Sequence, residues 1–167
     1  MTDIPNQDVT YKVIGAAMRV HNELGPGLKE VLYQRALSSA MREVGLAFEE
    51  EYPFEVQFDG VFAGLLYLDH LVEGQVVVEI KALKHLLTDD ELGQIITYMA
   101  VTESKVGLLL NFGRERLEYK PVLPPKKFDN WKGRVSRYLW RPPVESPQNE
   151  NHPFIRSKSV VQPGVGV

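Results

Sequence analysis

The chain has 167 residues, of which 44% are hydrophobic and 25% charged, and its net charge is −3 at pH 7; these values exclude collagen-like, coiled-coil and wholly disordered proteins, and the length predicts one domain. The lack of cysteine excludes disulfides, cysteine-ligated zinc, iron–sulfur clusters and a thiol nucleophile. Because the N-terminus is polar and no stretch approaches about 18 consecutive apolar residues, we expect a soluble cytoplasmic protein without a signal peptide or a membrane span.

Two helices are predicted within the first 45 residues. Asp8 is a candidate N-cap for a helix over residues 9–23, which carries an apolar stripe at helical spacing. Gly25-Pro26-Gly27 ends this helix, because proline cannot continue it and glycine tolerates positive φ. The second helix is predicted over residues 28–44, with Gly45 just after its end.

An antiparallel meander of three strands is predicted next. Its strands span residues 48–58, 61–72 and 76–82. Asp59-Gly60 is a strong hairpin signal between the first two strands, and Glu73-Gly74-Gln75 forms the second turn. Because successive side chains of a strand point to opposite faces, the length of the second turn decides which side chains share a face.

A helix and a further strand follow the meander. Thr88 and Glu91 have capping-box spacing and begin a helix over residues 89–101. Residues 106–112 are nearly all apolar and predict a strand that is buried on both faces, and residues 117–120 predict a short edge strand. The order ααβββαβ, with a helical crossover before the last strand, predicts an α/β fold with a mixed sheet flanked by helices.

The C-terminal part is predicted to lie outside this domain, which is assigned to residues 1–120. Residues 121–125 break the chain, and apolar and aromatic residues then recur at helical spacing, so a docking helix is predicted within an extension over residues 121–141. Its expected partner is another protein or a second copy of the chain. Residues 142–167 are rich in proline, serine, asparagine and glycine, and they are predicted to be disordered.

Asp69, Glu79 and Lys81 are the principal candidate catalytic residues. Glu79 and Lys81 are two positions apart on a predicted strand, so both side chains leave the same face. We predict a three-residue turn at 73–75, with Gly74 at positive φ, which places Asp69 directly opposite Glu79 on that face. A two-residue turn would send Asp69 to the other face.

Two neighbouring carboxylates and a lysine are the side chains that metal-assisted hydrolysis of a phosphodiester needs. The carboxylates repel each other, and Mg²⁺, which takes oxygen ligands and keeps several waters, relieves that repulsion. The lysine orients or deprotonates the attacking water and stabilises negative charge on the phosphate. The alternative is an ordinary surface ion pair of Lys81 with Glu79 or Asp69.

Three further polar residues are candidates for the same site. Gln94 and Tyr98 are four positions apart on a predicted helix, so they share a face that is offset from its apolar stripe. They either hold the water, the lysine or a phosphate, or form an ordinary polar flank. Glu30 lies in the first turn of the second helix, where the helix dipole favours a carboxylate. It is either a residue stabilised there or an additional ligand of the metal or its water.

Gly27, Glu30 and Tyr33 form the pattern G-x-x-E-x-x-Y, which HNELGPG introduces. Together with later segments this pattern resembles the GxxExxY family of the PD-(D/E)XK nuclease superfamily. The segments that carry the resemblance are GLLYLDHLV (64–72), VVVEIKALKHL (76–86), QIITY (94–98) and GLLLNFG (107–113). Each motif is weak by itself, but their order and spacing over residues 8–120 are specific.

The resemblance implies a restriction-endonuclease-like core of order α-β-β-β-α-β and a divalent metal ion, Mg²⁺ or Mn²⁺. The metal ligands that it implies are Glu30, Asp69, Glu79 and the carbonyl of Ile80. The catalytic residues that it implies are Asp69, the E-x-K pair Glu79 and Lys81, and Gln94 and Tyr98, which resemble the Q-x-x-x-Y motif of RecB-like members. Tyr67 stands where we expect arginine in the family, which removes one phosphate contact.

We therefore expect a metal-dependent nuclease that cuts phosphodiester bonds in DNA. Residues 1–100 have 7 Lys or Arg against 16 Asp or Glu, whereas residues 101–145 have 10 against 5, a distribution that permits a carboxylate metal site beside a phosphate-binding surface. The basic residues expected to follow the nucleic-acid backbone are Lys84, Arg114, Arg116, Lys126, Lys127, Lys132, Arg134 and Arg137. The alternative is a nucleic-acid-binding or accessory subunit that keeps the core and needs a partner for activity.

Overall fold

The computed structural model describes residues 4–124 and, without their side chains, residues 139–140. In chain order the elements are α1 (Gln7–Leu24), α2 (Glu30–Glu43), β1 (Phe48–Phe58), β2 (Val61–Val72), β3 (Val76–Lys81), α3 (Asp89–Thr102), β4 (Val106–Asn111), β5 (Glu118–Val122) and β6 (Leu139–Trp140). They form a sheet of order β5-β4-β3-β2-β1-β6, in which β3 and β4 are parallel and the other pairs are antiparallel. The predicted α/β fold with a mixed sheet is confirmed.

The sheet is covered by helices on both faces. On one face α1 and α2 pack against alternate residues of β3 and β4, such as Val78 and Leu108. On the other face α3 packs against the residues between them, such as Val77 and Leu109. Because β3 and β4 are buried on both faces, their sequences are nearly all apolar, and a polar residue in either strand requires a partner.

Of the two predicted helix N-caps, the structure confirms one and corrects the other. The capping box of α3 is confirmed, since the Thr88 N–H donates to Glu91 Oε2 at 2.7 Å and the Thr88 hydroxyl accepts from the Asp90 N–H at 3.4 Å. The prediction that Asp8 caps α1 is wrong. The cap is Asn6, whose carbonyl accepts from the Thr10 N–H at 3.0 Å, so Asp8 lies in the first turn, where the helix dipole favours it.

The β1–β2 hairpin forms as predicted. Asp59 and Gly60 have φ values of 49° and 76°, which the two-residue turn between strands of right-handed twist requires. Pro53 is accommodated in β1 because β6 pairs with that strand at Glu55 and Val56, so the described part of the chain places no second strand beside the proline.

The structure corrects two predictions about the end of the chain. Strand β5 continues through Pro121 to Val122, since an edge strand tolerates proline. Leu139 and Trp140 form strand β6 rather than the end of a docking helix, because β1 offers its unpaired edge to them. The rest of the predicted helix and the predicted disordered tail lie outside the described residues. Within residues 4–124, no helix has both the length and the apolar character that a membrane span requires.

The segments that leave β3 and β4 are joined by a buried asparagine. Asn111 Oδ1 accepts from the backbone N–H groups of Leu83 at 2.9 Å and Gly113 at 3.1 Å, and its Nδ2 donates to the His85 carbonyl at 3.0 Å. Gly113 then packs directly on the backbone of the first segment, where a Cβ would overlap the Leu83 carbonyl oxygen. The two segments therefore have a fixed relation at the carboxyl ends of the parallel strands.

Gly113→Ala is expected to lower the free energy of unfolding by roughly 2 kcal/mol or more, because the added methyl group meets backbone atoms that cannot rotate away. Urea unfolding followed by far-ultraviolet circular dichroism measures the change. Gly15→Ala is the control. It lies in α1 with no heavy atom within 4 Å of an added Cβ, and it should raise the free energy of unfolding by about 0.5–1 kcal/mol. Equal effects of the two substitutions would contradict this packing.

Candidate active site

The β2–β3 hairpin brings Asp69 and Glu79 together. Paired residues run from Val72 and Val76 to His70 and Val78, so the predicted three-residue turn is confirmed. Beyond the last pair, side-chain carboxylates and not backbone carbonyls accept the hydrogen bonds between the two strands. The Asp69 N–H donates to Glu79 Oε1 at 3.2 Å, and the Ile80 N–H donates to Asp69 Oδ2 at 2.8 Å. Each carboxylate is thus fixed by the strand that carries the other.

The ladder is also interrupted on the other side of Asp69. In the β1–β2 pair, Glu50 lies opposite His70 and Tyr52 opposite Leu68, and the regular register passes over the intervening Glu51 and Asp69. Glu51 has a φ of 48°, in the left-handed region that non-glycine residues rarely adopt. The sheet is therefore distorted on both sides of the candidate catalytic aspartate, and Glu51 is an acidic neighbour that the sequence reasoning missed.

Burial and like charge dominate the electrostatics of the pair. Burial, together with the negative charges of Glu30 and Glu51, raises the pKa of Asp69 to about 6, although the Ile80 N–H and Lys81 act in the opposite direction. Glu79 is 3% exposed, and burial followed by the charge of Asp69 holds the pKa of its carboxyl well above the usual range. The pair therefore keeps a proton to a higher pH than two isolated carboxyl groups would, and a nearby positive charge favours its ionisation.

Lys81 is held by α3. Its Nζ donates to Gln94 Oε1 at 2.8 Å, and Gln94 Nε2 donates to the Tyr98 hydroxyl at 3.1 Å. Burial and the charge of Glu79 raise the pKa of Tyr98, so its hydroxyl keeps its proton. Among residues 4–124, no salt bridge joins Lys81 to either carboxylate. The surface-ion-pair alternative is therefore not supported, and the structure brings all three polar side chains into one chain of hydrogen bonds.

His70 points away from the site, as expected for the neighbour of Asp69 on a strand. Its Nε2 lies 2.7 Å from the hydroxyl of Ser38, which itself donates to the Gln34 carbonyl at 3.0 Å, so we assign the imidazole proton to Nε2. Burial, with a contribution from Arg42, lowers the pKa of His70 to about 4. The neutral imidazole ties β2 to α2.

Comparison with known proteins identifies the family. The profile of the PD-(D/E)XK nuclease superfamily matches residues 7–122, from the start of α1 to the end of β5. The chain belongs to this superfamily. The crystal structure of SSO0001 has a similar fold, with a TM-score of 0.50 at 16% sequence identity. That likeness covers 65% of this chain and 55% of SSO0001, so the chain spans about half of the length of that protein. No curated protein matches the chain.

Divalent metal ions are the usual cofactors of PD-(D/E)XK nucleases, and the donor atoms of this site fit such an ion. Hydrogen bonds within residues 4–124 engage Asp69 Oδ2 and Glu79 Oε1, so Oδ1 and Oε2 remain as ligand atoms. In the same part of the chain, no three His, Cys, Asp or Glu side chains form a metal-binding group. Glu30 is exposed, and its negative charge contributes to the raised pKa of Asp69. Two carboxylates with waters and substrate oxygens suit Mg²⁺.

For this PD-(D/E)XK chain, Asp69→Asn is expected to raise the free energy of unfolding at pH 7 in EDTA by about 2 kcal/mol, because it removes a carboxylate charge that burial disfavours. The amide oxygen still accepts the Ile80 N–H. The folded pKa of Asp69, about 6, lies above its ordinary value of 3.8. Its protonation therefore stabilises the fold fully below that ordinary value, and this contribution is lost as the pH rises through about 6.

Urea unfolding of wild type and variant between pH 4 and pH 8 measures this difference. The wild-type curve should fall relative to the variant curve as the pH rises through 6. Asp59→Asn, in the exposed β1–β2 turn, is the matched control and should leave the difference near zero at every pH. A variant that is less stable than wild type at pH 7 in EDTA would contradict the electrostatic account of the pair.

Proposed function

We propose that the chain is a nuclease that hydrolyses phosphodiester bonds in DNA and requires Mg²⁺ or Mn²⁺. The observation that carries the proposal is the buried pair of Asp69 and Glu79 beside the ammonium group of Lys81. Burial and repulsion raise the pKa values of both carboxyl groups, so the pair gains strongly from a cation of charge +2. Membership in a nuclease superfamily supports a nucleic acid as the substrate.

In this proposal the two carboxylates hold the metal ion, with the Ile80 carbonyl as a further ligand and Glu30 as a ligand of the metal or of its water. A bound metal of this kind supplies a Lewis acid for the phosphate and lowers the pKa of water. The carboxylates are suited to holding it because the backbone N–H groups of Asp69 and Ile80 fix one oxygen of each. No side-chain movement is needed to bring the pair together.

Lys81 is the proposed residue that acts on the water and the phosphate. Its ammonium group orients the attacking water and stabilises the charge that develops on the phosphate oxygens. A bond forms between the water oxygen and phosphorus, and the bond to the leaving oxygen breaks. The attacking water gives up one proton to solvent and the leaving oxygen takes one up from solvent, so one water is consumed. Gln94 and Tyr98 support this step as positioning residues, because the amide accepts from Lys81 and is itself held by the phenol.

We also propose that the chain belongs to the GxxExxY family within the superfamily and that it is cytoplasmic. The geometry of the loop before Glu30 supports a structural role for the glycine and the tyrosine of this motif. Gly27 has a φ of 102°, which favours glycine. The Tyr33 hydroxyl donates to the Gly25 carbonyl at 2.6 Å and accepts from the Leu28 N–H at 3.1 Å. Motif glycine and tyrosine thereby shape the turn that presents the motif glutamate.

Glu79→Gln and Lys81→Met are each expected to lower kcat for metal-dependent DNA cleavage roughly 100-fold or more, because they remove charges that act on the phosphate or its metal. The assay follows single- and double-stranded DNA with Mn²⁺, and with EDTA as a blank. Glu49→Gln and Lys105→Met remove the same charges from exposed positions in β1 and before β4 and should retain wild-type rates.

The controls separate catalysis from folding when every variant melts at or above the wild-type temperature, since Glu79→Gln removes a charge that burial disfavours. Cleavage that survives EDTA, or that Glu79→Gln leaves unchanged, would contradict the proposal. A wild-type chain that binds both metal and DNA and cuts neither form would instead favour an accessory subunit that needs a partner.

A further inference from the structure

A cleft of about 440 Å³ lies at the carboxyl ends of the two parallel strands. The residues that line it are Pro26, Lys84, Gly113, Arg114, Glu115 and Arg116. Lys81 and Asn111 are the last paired residues of β3 and β4, and the chain enters the cleft three residues after the first and two after the second. The cleft therefore lies just beyond the strand end that carries the candidate catalytic lysine.

The walls of this cleft are held in place by buried contacts. Asn111 bonds the backbone of both wall segments, at Leu83 and Gly113. His21 Nε2, on the buried side of α1, lies 2.8 Å from the Arg114 carbonyl. Because these partners are backbone atoms, substitution of the wall side chains leaves the contacts intact. The cleft is thus a preformed feature, and its volume falls within the range of about 300–1,000 Å³ that ligand pockets have.

The lining has an excess of positive charge. Lys84, Arg114 and Arg116 contribute three cations against one carboxylate, Glu115. None of these three cations takes part in a salt bridge with another residue of the described ranges. Arginine guanidinium groups match phosphate oxygens in geometry, and lysine adds a point charge. Convergent cations on rigid walls are the recognition chemistry of a phosphate group.

We propose that this basic cleft binds one phosphate group of the nucleic-acid strand that enters the active site. The inference rests on the proposed function for the identity of the strand. The phosphate is either an internal phosphodiester or a terminal phosphate monoester, which share the oxygens that Lys84, Arg114 and Arg116 contact. The cleft then fixes the position of the strand relative to Lys81, and Glu115 weakens the binding.

Binding of fluorescein-labelled single-stranded and duplex DNA to the full chain in EDTA tests the proposal, with salt varied from 50 to 300 mM. The triple variant Lys84→Gln, Arg114→Gln and Arg116→Gln should bind more weakly, and its plot of log K against log salt should be flatter by about one, because one phosphate contact is lost. Glu115→Gln should bind roughly two- to threefold more tightly, since it removes the repelling charge.

The double variant Lys105→Gln and Lys120→Gln is the matched control. Both lysines are exposed and do not line the cleft, so this variant should keep the wild-type salt dependence. A triple variant with the same affinity and slope as wild type would overturn the proposal. If the control loses as much of the slope of log K against log salt as the triple variant does, the proposal is overturned as well. The affinity for DNA would then depend on the net charge of the protein and not on the cleft.

Two arms of the experiment distinguish the phosphate sources. If a terminal monoester occupies the cleft, replacing the 5′- or 3′-phosphate of the probe by hydroxyl reproduces the effect of the triple variant. If an internal diester occupies it, the end group has no effect. Cleavage with Mn²⁺ is measured on the same samples. If wild type cleaves DNA but the triple variant binds it as well as wild type does, the proposed phosphate site is wrong and the proposed nuclease activity stands. If binding depends on the cleft but wild type does not cleave, the nuclease proposal is wrong and the phosphate site stands.

Discussion

The carboxylates of Asp69 and Glu79 replace part of the hydrogen-bond ladder between β2 and β3. Each accepts a backbone N–H from the opposite strand, so the two charges are held together by the strands themselves. Burial alone disfavours such a pair, and the negative charges of Glu30 and Glu51 add to the cost at Asp69. The site therefore has an excess of buried negative charge that a divalent cation relieves, and the rest of the scaffold holds the two carboxylates in place.

Contacts on both faces of the sheet stabilise this arrangement. On one face the His70–Ser38 bond ties the strand of Asp69 to the helix that begins at Glu30. On the other face α3 holds Lys81 through Gln94. At the strand ends, Asn111 joins the segments that leave β3 and β4 and thereby builds the walls of the basic cleft. The candidate catalytic residues of β3 and the proposed phosphate site thus both lie at the carboxyl ends of the two parallel strands.

The sequence predicts the carboxylate pair because the three-residue turn around Gly74 and the two-residue period of strands determine which side chains meet. The same counting fails for Glu51. Counted from the Asp59-Gly60 turn, Glu51 should lie opposite the residue before Asp69. A register shift within the hairpin moves Glu51 to the level of Asp69. The local sequence pattern does not reveal such a bulge. The hydrogen bonds by which Asn111 joins the two segments are likewise not predictable, since its partners lie up to 28 residues away in sequence.

The most direct test is calorimetric titration of Mn²⁺ into wild type and the double variant Asp69→Asn and Glu79→Gln, in two buffers of different ionisation enthalpy at pH 6 and pH 8. The account predicts binding by wild type alone. It also predicts more protons released at pH 6 than at pH 8, because the raised pKa of the pair leaves it partly protonated at the lower pH. Equal binding by the double variant, or no binding by wild type, would contradict a divalent-cation site at this pair.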